Sequence, residues 1–217
     1  MRVRTLSELD EYLAASRARR KHELVWYSHQ LAPTAKPSQW VPRSAIVLAY
    51  AHWEGFVKDA ATAYLEYVTY KTKRLSDLAL HFQALACRQE ILSAQPATKK
   101  ILPHIAVAKK MIEELDSGYQ INPSTAIDTE SNLNAEVFEN ICNSIGIDYQ
   151  GDWSTNGKFM DDLFRTRCAI AHGELYSAEP KLALESVQFV IKAMDDLSTQ
   201  VGNAASLQHY LRQKAPA

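Results

Sequence analysis

The sequence predicts an all-α protein built around one helical domain. Only seven of its 217 residues are glycine, long stretches are rich in Ala, Leu, Glu and Lys, and apolar residues recur at helical spacing. Hydrophobic residues make up 47% of the chain, which is typical of a globular protein with a substantial core. A chain of this length suits one domain, or one domain with a sizeable insertion.

A capping box and a broken apolar stripe predict the first helix over 6–31. Thr5 and Glu8 have the spacing at which each side chain accepts a hydrogen bond from the other residue's backbone. The middle of the helix carries a basic run, which we interpret as a solvated face rather than a phosphate-binding patch. The stripe comprises Leu6, Leu9, Leu13, Leu24, Tyr27 and Leu31, and the basic run comprises Arg17, Arg19, Arg20 and Lys21.

The second predicted helix is long, spans 42–70 and follows a proline-rich loop. Its apolar residues recur at helical spacing from Ile46 to Val68. Glu54 projects onto the edge of that apolar arc, about 50° from its centre on a helical wheel. A charge at this position needs a partner if it is to be buried.

The central part of the chain is predicted to be helical but less regular, and it carries no recognisable chemistry. We expect helices over 78–92, 103–115 and 135–144, with Gly118 and Gly146 as stops, an exposed loop over 122–134 and a short extended piece within 147–153.

A helix over 156–172 carries the most informative residues of the chain. Arg167 falls near the middle of its apolar arc, and His172 lies off the arc, beside Gly173 at the predicted helix end. Because Arg167 and Glu54 are opposite charges at apolar positions, we expect them to be neighbours in the fold. A final helix over 180–201 and a frayed tail over 207–217 complete the prediction.

Composition excludes several classes of function. The net charge of −1 requires any nucleic-acid contact to come from a local patch. Three widely spaced cysteines without a C-x2-C pair, and scattered histidines, argue against a disulfide framework and a metal site. No apolar run reaches the length of a membrane span, and no cofactor motif is present. We therefore expect a soluble, cytoplasmic protein without a cofactor or a membrane contact.

Two motifs that lie about 110 residues apart in the sequence resemble motifs of the HEPN superfamily. Arg167-Cys168-Ala169-Ile170-Ala171-His172-Gly173 resembles the family's R-N-x-I-A-H-G, although active members usually carry a polar residue, often Asn, at the position of the cysteine. The segment Tyr50–Lys58 is similar to the signature of the RiboL-PSP branch. The resemblance covers the first two and last two helices. It implies one HEPN-like domain over 1–206 that contains a helical insertion over 71–152.

The resemblance also implies a function. HEPN domains pair as two-fold dimers that cleave RNA without a metal, often in toxin–antitoxin or phage-defence systems, where an antitoxin or other regulatory protein is the partner. His172 would be the general base or the general acid, Arg167 would bind the scissile phosphate and Glu54 would orient either residue. The alternatives are a non-catalytic dimerisation or RNA-binding module, in which the Arg167–Glu54 pair is structural, and a purely structural helical adaptor.

Overall fold

The structure is a computed structural model that describes residues 3–33, 38–97, 99–119, 121–174 and 177–213. The predicted all-α fold is confirmed: within these ranges the chain forms ten α-helices and two short 3₁₀ helices, and two isolated bridges are its only β pairing. The α-helices are α1 (Leu6–Gln30), α2 (Trp40–Lys71), α3 (Leu80–Ala86), α4 (Arg88–Ala94), α5 (Ile101–Ile112), α6 (Pro123–Ala126), α7 (Ala135–Ile145), α8 (Tyr149–Asp152), α9 (Gly157–Ala171) and α10 (Pro180–Ser206).

Helix α2 forms the centre of the molecule. It packs against α1 and α10, which also pack against each other, and α9 lies along a further part of its surface. Buried side chains extend along the whole of α2, because large apolar residues face each of these neighbours in turn. The largest fully buried ones are Trp53, Tyr50, Tyr64 and Phe56. None of the described helices is both long enough and apolar enough to cross a membrane.

Three of the four cations in the basic run on α1 are paired and at least partly buried, and only Arg19 is exposed, so the interpretation of the run as a solvated face is wrong. The Arg20 side chain donates hydrogen bonds to Asp59 on α2 (3.0 Å) and to the side chain of Ser16. Arg17 and Lys21 both form ion pairs with Asp195 on α10, at 3.2 and 2.6 Å. The capping box between Thr5 and Glu8 is confirmed. These cations therefore connect α1 to both of its neighbours in the bundle.

Gly55 makes room for the buried Arg20 guanidinium. A Cβ atom at this position would lie 2.9 Å from Arg20 Nη2. Since real Cβ atoms essentially never approach a heavy atom that closely, any larger residue would displace the guanidinium from its ion pair. The glycine of the Tyr50–Lys58 motif thus has a packing role.

The predicted helix over 78–92 is wrong, because it begins later and is divided in two at Cys87. Leu78 pairs with Leu211 in an isolated bridge, and the Ala79 N–H donates to the Tyr210 carbonyl at 2.8 Å. This pairing holds the chain extended until Leu80. It also packs the first part of the segment predicted to be a frayed tail: Tyr210 is only 4% exposed, while residues 214–217 lie outside the described ranges.

The remaining predicted helices agree with the structure apart from their ends. The exposed loop predicted over 122–134 is wrong in part, because residues 123–126 form α6 and Ile127, Thr129 and Leu133 are buried. Helix α5 begins two residues before Pro103, which is tolerated in a first turn, and α10 continues five residues beyond Val201. The extended piece expected within 147–153 is wrong, because Asp148 accepts a hydrogen bond from the Gly151 N–H (3.1 Å) and caps the short helix α8.

Candidate functional site

The guanidinium of Arg167 lies on aromatic rings between α9 and α2. Its central carbon is 4.0 Å from the centre of the Tyr50 ring and 5.6 Å from that of Phe164. A planar, weakly hydrated guanidinium can stack on such faces, which an ammonium group does less well. This stacking explains how an arginine occupies the apolar arc of α9.

Glu54 is the charged neighbour expected for Arg167. Its Oε2 atom lies 3.9 Å from Arg167 Nη2, and the two side chains are 22% and 20% exposed, respectively. The predicted proximity is confirmed, although this distance is too long for a direct hydrogen bond. The other carboxylate oxygen of Glu54 accepts a hydrogen bond from the Thr129 hydroxyl at 2.8 Å.

A loop of the central segment completes the surroundings of Arg167. The Ser131 carbonyl accepts a hydrogen bond from Arg167 Nη2 at 3.1 Å. Glu130 and Ser131 both adopt left-handed backbone conformations, with φ of 54° and 55°, and the Asp128 side chain accepts the Glu130 N–H. Two consecutive non-glycine residues in this region are uncommon and costly. The sequence of this stretch predicts only a loop, since nothing in its composition indicates which side chain it contacts.

Burial governs the pKa of the Tyr50 hydroxyl. Desolvation raises the pKa of the Tyr50 hydroxyl above its ordinary value of 10, and the negative charge of Glu54 adds to the effect, while Arg167 opposes it. Tyr50 therefore stays neutral at physiological pH. The Nε atom of Arg167 is buried and has no hydrogen-bond partner among the described residues.

His172 caps α9, as predicted, and is exposed. Its backbone N–H donates to the Cys168 carbonyl at 2.9 Å, and Gly173 follows with φ of 79°. Arg43 of α2 donates to the Glu174 carbonyl at 3.2 and 3.3 Å, which fixes the chain just after the histidine. Within one chain Arg167 and His172 are separated by about 7.5 Å of helical rise and about 140° of rotation, so the two side chains flank one region rather than touch.

A comparison with protein families identifies the fold. The model of the RiboL-PSP-HEPN family matches residues 15–203, a range that contains both motifs and the central segment between them. The chain belongs to the RiboL-PSP-HEPN family. No curated protein and no solved structure matches it.

Other polar and aromatic side chains of this HEPN protein do not form a second site of this kind among the described residues. His52 is half-buried, with its Nε2 atom 3.0 Å from the Glu23 carboxylate. Trp53 and Trp153 belong to the core, whereas Trp26 and Trp40 are exposed. In the part of the chain that the structure describes, no three His, Cys, Asp or Glu side chains are grouped to hold a metal ion.

Proposed function

We propose that this HEPN protein is an endoribonuclease that cleaves RNA through attack of a ribose 2′-hydroxyl on the adjacent phosphate. The observation that carries the proposal is the placement of Arg167. Its guanidinium is fixed by an aromatic ring, a carboxylate and a backbone carbonyl, and one fifth of the side chain remains exposed near the helix end that presents His172.

The reaction needs no group beyond those the protein and the RNA supply. A base removes the proton of the 2′-hydroxyl, the 2′-oxygen bonds to phosphorus, and the bond from phosphorus to the 5′-oxygen breaks. An acid then protonates the departing oxygen, which leaves a 2′,3′-cyclic phosphate and a 5′-hydroxyl. His172 serves as that base or as that acid, because histidine is the side chain best suited to proton transfer near neutral pH.

Arg167 binds the scissile phosphate and stabilises the charge that develops on it. A cation that is already fixed in place does this effectively, since no ordering cost arises during the reaction. Glu54 positions the guanidinium, and Thr129 in turn fixes Glu54. The loop that contains Ser131 holds the opposite edge of the same group.

The cleft is completed by a second copy of the chain. The C-terminal half of α9 supports this arrangement, because every residue from Phe164 to Ile170 is at least partly exposed although two of them are large and apolar. A two-fold dimer along this face would bring both pairs of Arg167 and His172 to one cleft. We further propose that the enzyme acts in the cytoplasm in toxin–antitoxin or phage defence, restrained by a regulatory protein.

The proposal is tested by a cleavage assay in which total RNA is incubated with the protein in the presence of EDTA. Wild type should produce fragments that end in 2′,3′-cyclic phosphate, and His172→Ala should not, although its thermal midpoint should be nearly unchanged because the side chain is exposed. The matched control is His209→Ala, another exposed histidine, which should cleave like wild type.

The second candidate function is a non-catalytic RNA-binding or dimerisation module. The contacts of Arg167 with Glu54 and Ser131 favour it, since a structural arginine would use the same partners. Absence of cleavage by wild-type dimers, together with a large loss of stability in Arg167→Met, would establish that alternative.

A further inference from the structure

A large polar cavity lies at the C-terminal end of α2, far from Arg167. Its volume is about 1020 Å³, and three cationic side chains line it: Lys71, Lys73 and Arg212. Lys71 follows Tyr50 by 21 residues of one continuous helix, so the cavity is about 32 Å from the candidate active site. It is therefore a separate feature of the molecule.

The cations of this cavity are not neutralised. No carboxylate of the described residues forms an ion pair with Lys71, Lys73 or Arg212. The one carboxylate in the lining, Asp77, is held by Arg74 through two hydrogen bonds of 2.9 Å. The basic run of α1 is the opposite case, because its buried and half-buried cations have carboxylate partners.

Aromatic rings lie against two of these cations. The Lys71 ammonium lies 5.5 Å from the centre of the Tyr67 ring, and the Lys73 ammonium lies 5.0 Å from that of Tyr70. Lys73 also lines an adjoining cavity of about 370 Å³, where the Arg4 guanidinium lies 5.3 Å from the Tyr70 ring. Four cations thus border two cavities that share Lys73, and three of the four lie against aromatic rings that restrict their side chains before a ligand binds. The carboxylate in the lining of the smaller cavity, Glu66, accepts the Val3 N–H at 3.2 Å.

We propose that these two cavities form a second RNA-binding site, which takes the phosphate backbone of a single-stranded part of the substrate. Several phosphates in a row match several cations along two adjoining cavities, and each contact would release counterions from the RNA. Two amide side chains in the lining, Gln208 and Gln213, can donate hydrogen bonds to sugar and phosphate oxygens. The site binds RNA at a distance from the reacting phosphate.

The inference rests on the proposed function only for the identity of RNA as the ligand, so its test measures binding and not cleavage. The probe is a fluorescent 2′-O-methyl RNA of about 12 nucleotides, which lacks the attacking hydroxyl and falls within the length range that single-strand sites cover. Fluorescence anisotropy gives its affinity for wild type and for Lys71→Gln/Lys73→Gln at several salt concentrations. The control is Lys99→Gln/Lys100→Gln, which removes two exposed lysines outside both cavities.

Removing two phosphate contacts should reduce the slope of log affinity against log salt by about 1.4, which corresponds to roughly 25-fold weaker binding at 0.1 M salt. The control pair should bind like wild type, and thermal midpoints should confirm that both variants fold.

Equal affinity and slope for wild type and the cavity variant would overturn the proposal. Tripolyphosphate that binds as tightly as the oligonucleotide and with the same sensitivity to the two lysines would also overturn it, in favour of a small polyphosphate ligand. Because the probe cannot be cut, a protein that proves inactive on RNA leaves this test unaffected.

Discussion

Neutralising Glu54 separates its role in holding Arg167 from a direct role in the reaction. At the observed 3.9 Å the attraction between the two charges is about 4 kcal/mol at an effective dielectric constant of 20 and about 1 kcal/mol in water. Both groups are partly solvated and make no direct hydrogen bond, so we expect a net contribution near the lower figure, about 1 kcal/mol. Glu54→Gln keeps an oxygen that can accept the Thr129 hydrogen bond.

Two other contacts together hold Arg167 more strongly. A hydrogen bond from a charged donor to a carbonyl such as that of Ser131 contributes about 1.5–3 kcal/mol, and the stack on Tyr50 adds about 1 kcal/mol. Arg167 should therefore stay in place in Glu54→Gln. Its cleavage rate should fall less than about tenfold, whereas Arg167→Met should lower the rate by at least about a hundredfold because the phosphate loses its cation.

The assay combines urea unfolding with RNA cleavage for both variants. Glu23→Gln is the matched control, since it neutralises an exposed carboxylate of α1 and should change the unfolding free energy by less than about 0.5 kcal/mol. The reasoning is refuted if Glu54→Gln cleaves as poorly as Arg167→Met while its unfolding free energy is unchanged. In that case Glu54 would act on the reacting atoms rather than on the arginine.

Three further predictions concern the central segment. Gly146 has φ of 70°, and a Cβ atom at this position would overlap with His81 Nε2. Gly146→Ala should therefore lower the unfolding free energy by about 2–3 kcal/mol in the wild-type background but by only about 1 kcal/mol in the His81→Ala background. Equal losses in the two backgrounds of this double-mutant cycle would disprove the clash. Ser131→Val should be less stable than Ser131→Gly by at least about 1 kcal/mol in urea unfolding, because a β-branched residue fits the left-handed conformation poorly, and the reverse order would contradict this. Burial lowers the pKa of His81 below its ordinary 6.5, so the unfolded chain binds a proton first as the pH falls, and the unfolding free energy should decrease below pH 6.5. His81→Leu should show a smaller decrease in urea titrations at pH 7.5, 6.5 and 5.5, and an unchanged pH dependence would exclude His81 as its source.

The strongly patterned helices could be predicted from the sequence. Helices α1, α2, α9 and α10 carry apolar residues at helical spacing, and most of these residues are buried against neighbouring helices, as their periodicity predicts. The proximity of Glu54 and Arg167 could also be predicted, because a charge at an apolar position needs an opposite charge nearby to offset its desolvation.

Features that depend on contacts between distant segments could not be predicted. Helical spacing places Arg20 on a charged face, and only the packing of Asp59 and Gly55 shows that its guanidinium is buried. The start of α3 is set by Tyr210, which lies more than 120 residues away along the chain. The contact between Ser131 and Arg167 is made by a backbone carbonyl. Since every residue has this group, the sequence does not indicate which residue contacts the arginine.

The most direct test of the proposed mechanism is cleavage of a defined RNA whose 2′-hydroxyl is replaced by hydrogen at the mapped cleavage position only. Attack by that hydroxyl predicts that wild type cuts the all-ribose strand to a 2′,3′-cyclic phosphate and a 5′-hydroxyl and leaves the substituted linkage intact. Cleavage of the substituted linkage, or a 5′-phosphate on the product, would contradict the roles assigned to Arg167 and His172.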